Sequence, residues 1–272
     1  MTESRDLTGS EFWRLRVVKK QGNGWLCRCA CGVSDDFTVT AENLVSGRMK
    51  SCGCISIMGL DLSSNSGWSV KNSKWHRSNT KCGVINVSDY AWEEKYCSFA
   101  IQFLPLVRTY KPDFVAIERP EHGVRQFAQR GKKDMVGEEQ SAMTINPAAL
   151  QLTGIAGAAI AICSLMNIPY GTIAANAWRP VYFGKGFKPA PEKIRDQKTG
   201  QIKEGKPDWK QAAIAACERE GIKLPSTKKD QKDAAEAVAV CTCWAKCDVP
   251  EIEWMQKRFM ALRTGAYRKD AA

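Results

Sequence analysis

Two short apolar stretches of this 272-residue chain each carry one carboxylate where a strand would bury it. MGLDLSSNSGWSV (58–70) holds Asp61, and KPDFVAIERP (111–120) ends its apolar run at Glu118. A buried carboxylate without a partner is costly, so each implies a cation close by. A third stretch, DQKDAAEAVAVCTCWAKC (230–247), reads as a helix with Asp230, Asp233 and Glu236 near its start. Asp233 and Glu236 are spaced i, i+3 and share one face. Acids at a helix start need no function, because the dipole and capping favour them there. Glu236, however, lies beyond the first turn, and Ala234, Ala235, Ala237 and Ala239 would let this helix sit close against a sheet. Its two acids would then point at Asp61 and Glu118. Four carboxylates in one place repel unless divalent cations neutralise them. Magnesium or manganese suits such an oxygen-rich set and retains waters. Two such ions can activate a water and stabilise a leaving oxygen in phosphodiester hydrolysis.

The elements that must position these acids follow from the pattern. Residues 57–70 read as a strand interrupted by small polar residues, 81–87 as a second strand and 114–117 as a third. Residues 92–110 have helical spacing, with Phe99, Phe103, Leu106 and Val107 on one face. Pro112 and Pro120 bound the strand that ends in Glu118. The apolar run 155–166, rich in Gly and Ala, is about half the length that spans a bilayer and reads as a packed helix. The N-terminal residues are polar and offer no secretory signal, so a soluble, cytoplasmic protein with no membrane partner is expected.

Cysteine is unevenly spread. Five of the twelve fall within residues 27–54, namely Cys27, Cys29, Cys31, Cys52 and Cys54. In a reducing compartment a tight cluster points to metal before disulfide. Residues 12–54 read as three short strands, with a hairpin turn at Gln21–Gly24 and a short helix at 41–46 closed by Gly47. The turns CACG and SCGC could face each other to make an S4 zinc shell from Cys29, Cys31, Cys52 and Cys54, with Cys27 the spare. Packed reduced thiols are the alternative, but a 43-residue segment is too small to hold a core unaided. The expected division is therefore a small zinc-binding, β-rich domain over 1–56 and a second domain over 57–272.

Net charge is +11, which points to an anionic partner, nucleic acid first. Basic residues cluster in two places. Residues 119–146 read as a long loop directly after Glu118, with Arg119, Arg125, Arg130, Lys132 and Lys133 as phosphate contacts and Phe127 as an aromatic wedge. His122 in the same segment reads as structural or solvated. Residues 178–210 hold nine basic and four acidic residues around a polar centre expected to be a loop or hairpin. Arg179, Lys185 and Lys210 are its candidates for phosphate contact, and Lys210 is favoured because it opens the next helix. The tail, 251–268, alternates apolar and basic residues and could pack on the core, a second subunit or DNA.

From GLDLSSNSGWSV, VAIERP and KDAAEAVAV, in that order, the chain resembles the RNase H-like superfamily, specifically RuvC-type Holliday junction resolvases and their phage-encoded relatives. The resemblance runs over about residues 57–247. It implies an α/β fold with a mixed five-stranded sheet and helices on both faces. It also implies magnesium-dependent incision of branched DNA by a homodimer, with Asp61, Glu118, Asp233 and Glu236 holding the metals, in a phage-infected bacterial cell. Three departures stand out: Glu236 where the family has Asp, the cysteine-rich head, and the long 119–146 segment. The competing readings are a nuclease acting on forks, flaps or hybrids, and a non-catalytic zinc-containing DNA-binding protein.

Overall fold

A computed structural model describes residues 6–120, 124–133, 139–145, 147–195, 200–246 and 252–264, with the side chains of 121–148, 195 and 264 outside the description. The head is a four-stranded antiparallel sheet in the order β1 (Glu11–Phe12), β2 (Leu15–Gln21), β3 (Gly24–Cys29), β4 (Phe37–Val39), followed by the short helix α1 (Ala41–Val45). Gln21 pairs with Gly24 across a two-residue turn in which Gly22 adopts φ +58°. That left-handed conformation is the one a tight hairpin needs, and glycine adopts it without strain. Leu15, Val17, Trp25, Val39 and Leu44 fill a small core together with the cysteines.

Next along the chain come β5 (Ser56–Asp61), β6 (Asn65–Asn72), β7 (Lys81–Asn86), α2 (Glu94–Tyr110) and β8 (Phe114–Glu118). The stretch read as one interrupted strand is thus two antiparallel strands, with the small polar residues as their turn. An antiparallel ribbon, β9 (Val124–Lys133) and β10 (Glu139–Ile145), replaces the loop expected over 119–146. Its strands pair with each other and, among the described residues, join no larger sheet, and their sequence lacks the apolar alternation that reveals a strand. Then follow α3 (Pro147–Leu165), β11 (Tyr170–Ile173), α4 (Ala175–Phe183), the hairpin β12 (Pro191–Arg195) and β13 (Ile202–Pro207), α5 (Trp209–Arg219), α6 (Lys228–Lys246) and α7 (Glu253–Thr264).

The main sheet has the order β11-β8-β5-β6-β7. β5, β8 and β11 are parallel, and β6 runs antiparallel to both β5 and β7. This is the mixed five-stranded α/β fold that the family resemblance implies. Strand period two sorts the side chains onto two faces. Met58, Leu60, Val115 and Ile117 pack with Phe99, Phe103 and Val107 of α2 and Ile155 and Ala159 of α3. Ile57, Phe114, Ala116 and Ile173 pack with Trp178 of α4, Val240 and Trp244 of α6, and Met255 and Phe259 of α7. The tail helix therefore packs on the core, where Thr172 N–H donates to Met255 Sδ at 3.3 Å.

α6 lies unusually close to the sheet because glycine faces it. A Cβ on Gly59 would overlap the Ala237 carbonyl, and one on Gly67 would overlap the Asp233 carbonyl. Ser69 Oγ then reaches Ala237 O at 2.8 Å. Small residues on the strands, like the alanines on the helix, bring the acids of α6 down to strand level.

Head and sheet meet without a linker. Arg14, 3% exposed in its side chain, donates to Asp113 Oδ2 at 2.6 Å, to Cys54 O at 2.7 Å and to Lys111 O at 3.1 Å. Asp113 Oδ2 also accepts from Ser56 N at 2.8 Å, and Trp75 Nε1 donates to Cys31 O at 2.8 Å. No described helix is long and apolar enough to cross a membrane.

Candidate functional site

Asp61 is the last residue of β5, and Glu118 the last of its parallel neighbour β8, where Leu60 pairs with Ile117. Both carboxylates therefore stand at the carboxyl edge of the sheet, on the face that α6 covers. α6 adds Asp233 and Glu236 from consecutive turns. Carboxylate oxygens of Asp61, Asp233 and Glu236 lie within 4.8 Å of one another. These three residues are 8%, 6% and 5% exposed, so water screens them little. Glu118 sits at the rim of this group, its Oε2 held by Trp178 Nε1 at 2.9 Å.

The electrostatics are those of a site short of positive charge. Burial, followed by repulsion from Glu118 and Glu236, raises the Asp61 pKa well above the usual carboxylate range. Burial and then Glu236 push Glu118 up to about 7, against the opposing pull of the Trp178 N–H. Burial also raises Glu236, although Lys210 and Arg179 counter it. Lys210 is the principal cation present. Its Nζ lies 2.6 Å from Asp233 Oδ1 and 3.2 Å from Glu236 Oε2. Burial works against its charge, but Glu236, Asp233 and Asp61 outweigh that, and its pKa is raised.

Two residues that sequence reasoning did not single out complete the setting. Asn65 Nδ2 donates to Asp233 Oδ2 at 2.7 Å and to Asp230 Oδ1 at 3.1 Å, which fixes the Asp233 carboxylate. Asn65 Oδ1 is buried and has no hydrogen-bond partner. Trp178 does for Glu118 what Asn65 does for Asp233. Asn65 opens β6 on the α6 side of the sheet, and that strand parity was the available signal. For Trp178 the linear sequence carried none.

The basic candidates divide. Lys210 is turned into the acid cluster. Arg179 also turns inward, with an Nη2 3.8 Å from Glu236 Oε1 and its guanidinium stacked over Trp178 and Trp209 at 5.5 and 5.0 Å. Lys185 is exposed, and Arg119 is half-buried directly after Glu118. Arg125, Phe127, Arg130, Lys132 and Lys133 fall on strand β9, and their side chains lie outside the described residues, as does His122.

The donor set fits a hard divalent cation. It consists of close-set carboxylate oxygens, those of Asp61, Glu118 and Glu236 with raised pKa values, beside an amide oxygen without a partner. A different chemistry is gathered in the head. Cys29, Cys31, Cys52 and Cys54 bring their Sγ atoms within 4.8 Å of one another. Cys29 and Cys54 are 3.8 Å apart, and Cys31 and Cys52 3.5 Å. A tetrahedral Zn–S4 shell has sulfur–sulfur edges of about 3.8 Å, given Zn–S bonds of about 2.3 Å. Cys27 stands apart, donating its thiol to Trp25 O at 3.3 Å.

The chain matches no protein-family model and no curated protein. Among solved structures it is similar to a Thermus thermophilus RuvC structure, at 12% identity and a TM-score of 0.41 over 72% of this chain and 98% of that one. It is also similar to T. thermophilus RuvC in complex with a Holliday junction substrate, at 15% identity and a TM-score of 0.45 over 70% of this chain and 93% of that one.

Proposed function

We propose that this chain is a metal-dependent endonuclease that cuts branched DNA, with the four-way junction as its preferred form. One observation carries the reading: Asp61, Asp233 and Glu236, with Glu118 at their rim, are held buried and close together on a chain of net charge +11. A structural role explains this poorly, because like charges brought together destabilise the fold that holds them. Magnesium or manganese bound by these four residues would supply an activated water and a charge partner for the leaving oxygen. The chain's own contribution is positional. Trp178 orients Glu118 and Asn65 orients Asp233, so the carboxylates are set before substrate arrives. Symmetric cutting of a junction requires a pair of such sites, which makes the homodimer the working form. Zinc in the S4 cluster would be structural, since four thiolates leave no open position.

The test is cleavage of an end-labelled four-way junction beside linear duplex, a fork and an RNA–DNA hybrid, with magnesium, manganese or chelator. Paired, symmetric nicks on the junction, absent in Asp61→Asn, are the expected result. Cutting of forks or hybrids instead keeps the metal site and replaces the substrate. Binding without any cutting by the wild type returns the protein to the DNA-binding class.

A further inference from the structure

A row of aromatic rings leads from the acid cluster to the surface. Trp178, which holds Glu118, has Phe183 at 6.1 Å between ring centroids. Phe183 lies 5.6 Å from Trp209, the residue preceding Lys210. Phe187 closes the row. Its ring stacks on Phe183 at 4.8 Å with only 13° between planes, and Trp209 flanks it at 6.1 Å. Phe187 is 42% exposed. One face of the ring is covered by Phe183, and the residue keeps that 42% of its surface open to solvent.

The backbone presents the ring on purpose-built geometry. Gly184 and Gly186 adopt φ +98° and +81°, a region that disfavours side chains, and Phe187 N–H donates to Gly184 O at 3.3 Å. Lys185 and Lys188, both exposed, stand on either side of Phe187 in sequence. An exposed aromatic ring with an exposed lysine before and after it in sequence matches one chemistry closely. A nucleobase has a π-face to stack and a phosphate on each side to meet the lysines. A base within an intact duplex has both faces covered by its neighbours, so only an unpaired base can use the ring. A protein partner would call for a continuous apolar patch, and here the segment that carries the ring also carries two exposed lysines.

We propose that Phe187 is a stacking platform for one unpaired nucleobase of the DNA strand that runs into the acid cluster. The proposal rests on the nuclease reading and adds a substrate feature to it: an opened base beside the cut. The platform lies on a different element from the 119–146 segment, and its anchor to the site is the Trp178–Glu118 hydrogen bond.

The experiment measures binding without divalent metal, so that no cutting intervenes. The probes are a fork with single-stranded arms carrying 2-aminopurine at the branch, a thymidine oligonucleotide and a fully paired duplex. Wild type should quench the 2-aminopurine. Phe187→Ala and Phe187→Leu should abolish the quench and weaken fork and oligonucleotide binding about tenfold, with duplex binding held within about twofold. Phe187→Tyr should restore both. Since Leu keeps the apolar contact with Phe183, equal binding by Phe187→Leu and wild type overturns the platform. So does an equal loss on all three probes. If junction cutting persists in wild type while no quench is seen, the platform falls and the nuclease reading stands. A wild type that binds none of the DNAs overturns both.

Discussion

Cys54 and Asp61 belong to one extended stretch of chain: Cys54 closes the cysteine cluster two residues before β5 begins, and Asp61 is the last residue of β5. Arg14 reinforces the link, bonding Cys54 O while its ion pair with Asp113 reaches the Ser56 end of the same strand. The cluster and the acids are therefore two ends of one rigid element, and the head is anchored to the sheet that positions the site.

Zinc content should follow the geometry. Wild type is expected to carry about one zinc per chain. Cys31→Ser or Cys52→Ser should lose nearly all of it and melt several degrees lower, because small domains of this size depend on their metal. Cys27→Ser should keep the metal, with a cost of about 1 kcal/mol from burying a smaller, more polar group in the head's core. Metal analysis by mass spectrometry beside thermal melts separates the two classes, and a zinc-free Cys27→Ser would reverse the assignment.

Asp61→Asn should cost cleavage roughly a thousandfold or more while making the metal-free protein more stable by about 1–2 kcal/mol. The opposite signs have one cause: the carboxylate is held among like charges, and the amide removes one of them. Urea melts without divalent metal check the stability, and junction cleavage checks the rate. A destabilised variant would show that Asp61 is a structural acid.

Lys210→Met should act in the reverse direction on the metal-free protein. Removing the ammonium leaves Asp233 and Glu236 facing each other with only the more distant Arg179 to offset them, at a cost of about 1–2 kcal/mol given that the lysine is itself partly exposed. Manganese should then bind more tightly, since no internal cation has to yield. Calorimetric titration of manganese into both proteins measures this, and weaker binding by the variant would mean that Lys210 assists the metal.

Stability without divalent metal should fall as pH rises from about 5 to about 7. Glu118 titrates near 7 in the folded chain against 4.5 in the unfolded one. The folded state therefore binds more protons across that window, so its advantage is present at the acidic end and is lost with rising pH. The loss should reach about 2 kcal/mol. Added magnesium should flatten the slope, because it compensates the ionised form. Melts at pH 5.5 and 7.5, with and without magnesium, give the comparison, and a flat metal-free profile would contradict it.

Much of this arrangement is legible in the sequence, for reasons that differ by residue. Asp61 and Glu118 show because an acid ending an apolar strand is a visible anomaly. The helix of Asp233 and Glu236 shows because its alanines announce a close approach. The cysteine pairs show through their tight spacing. Lys210 reads as a surface phosphate contact, whereas the packing of α5 on α6 turns it into the acids. Asn65 and Trp178 stay hidden because their partners lie 168 and 60 positions away along the chain, a pairing that only the tertiary fold creates. The β9–β10 ribbon stays hidden because its residues carry no apolar alternation to read.

The acid cluster joins the first strand of the main sheet to α6, a helix that follows every strand of that sheet along the chain. During synthesis, the whole sheet leaves the ribosome while Asp233 and Glu236 are still to be translated. A nascent or truncated chain can therefore hold every strand of the head and of the main sheet, yet lack half of the cluster's carboxylates. On the proposed function, the cutting centre forms only once α6 has been made, and a premature stop anywhere before α6 yields a product without it.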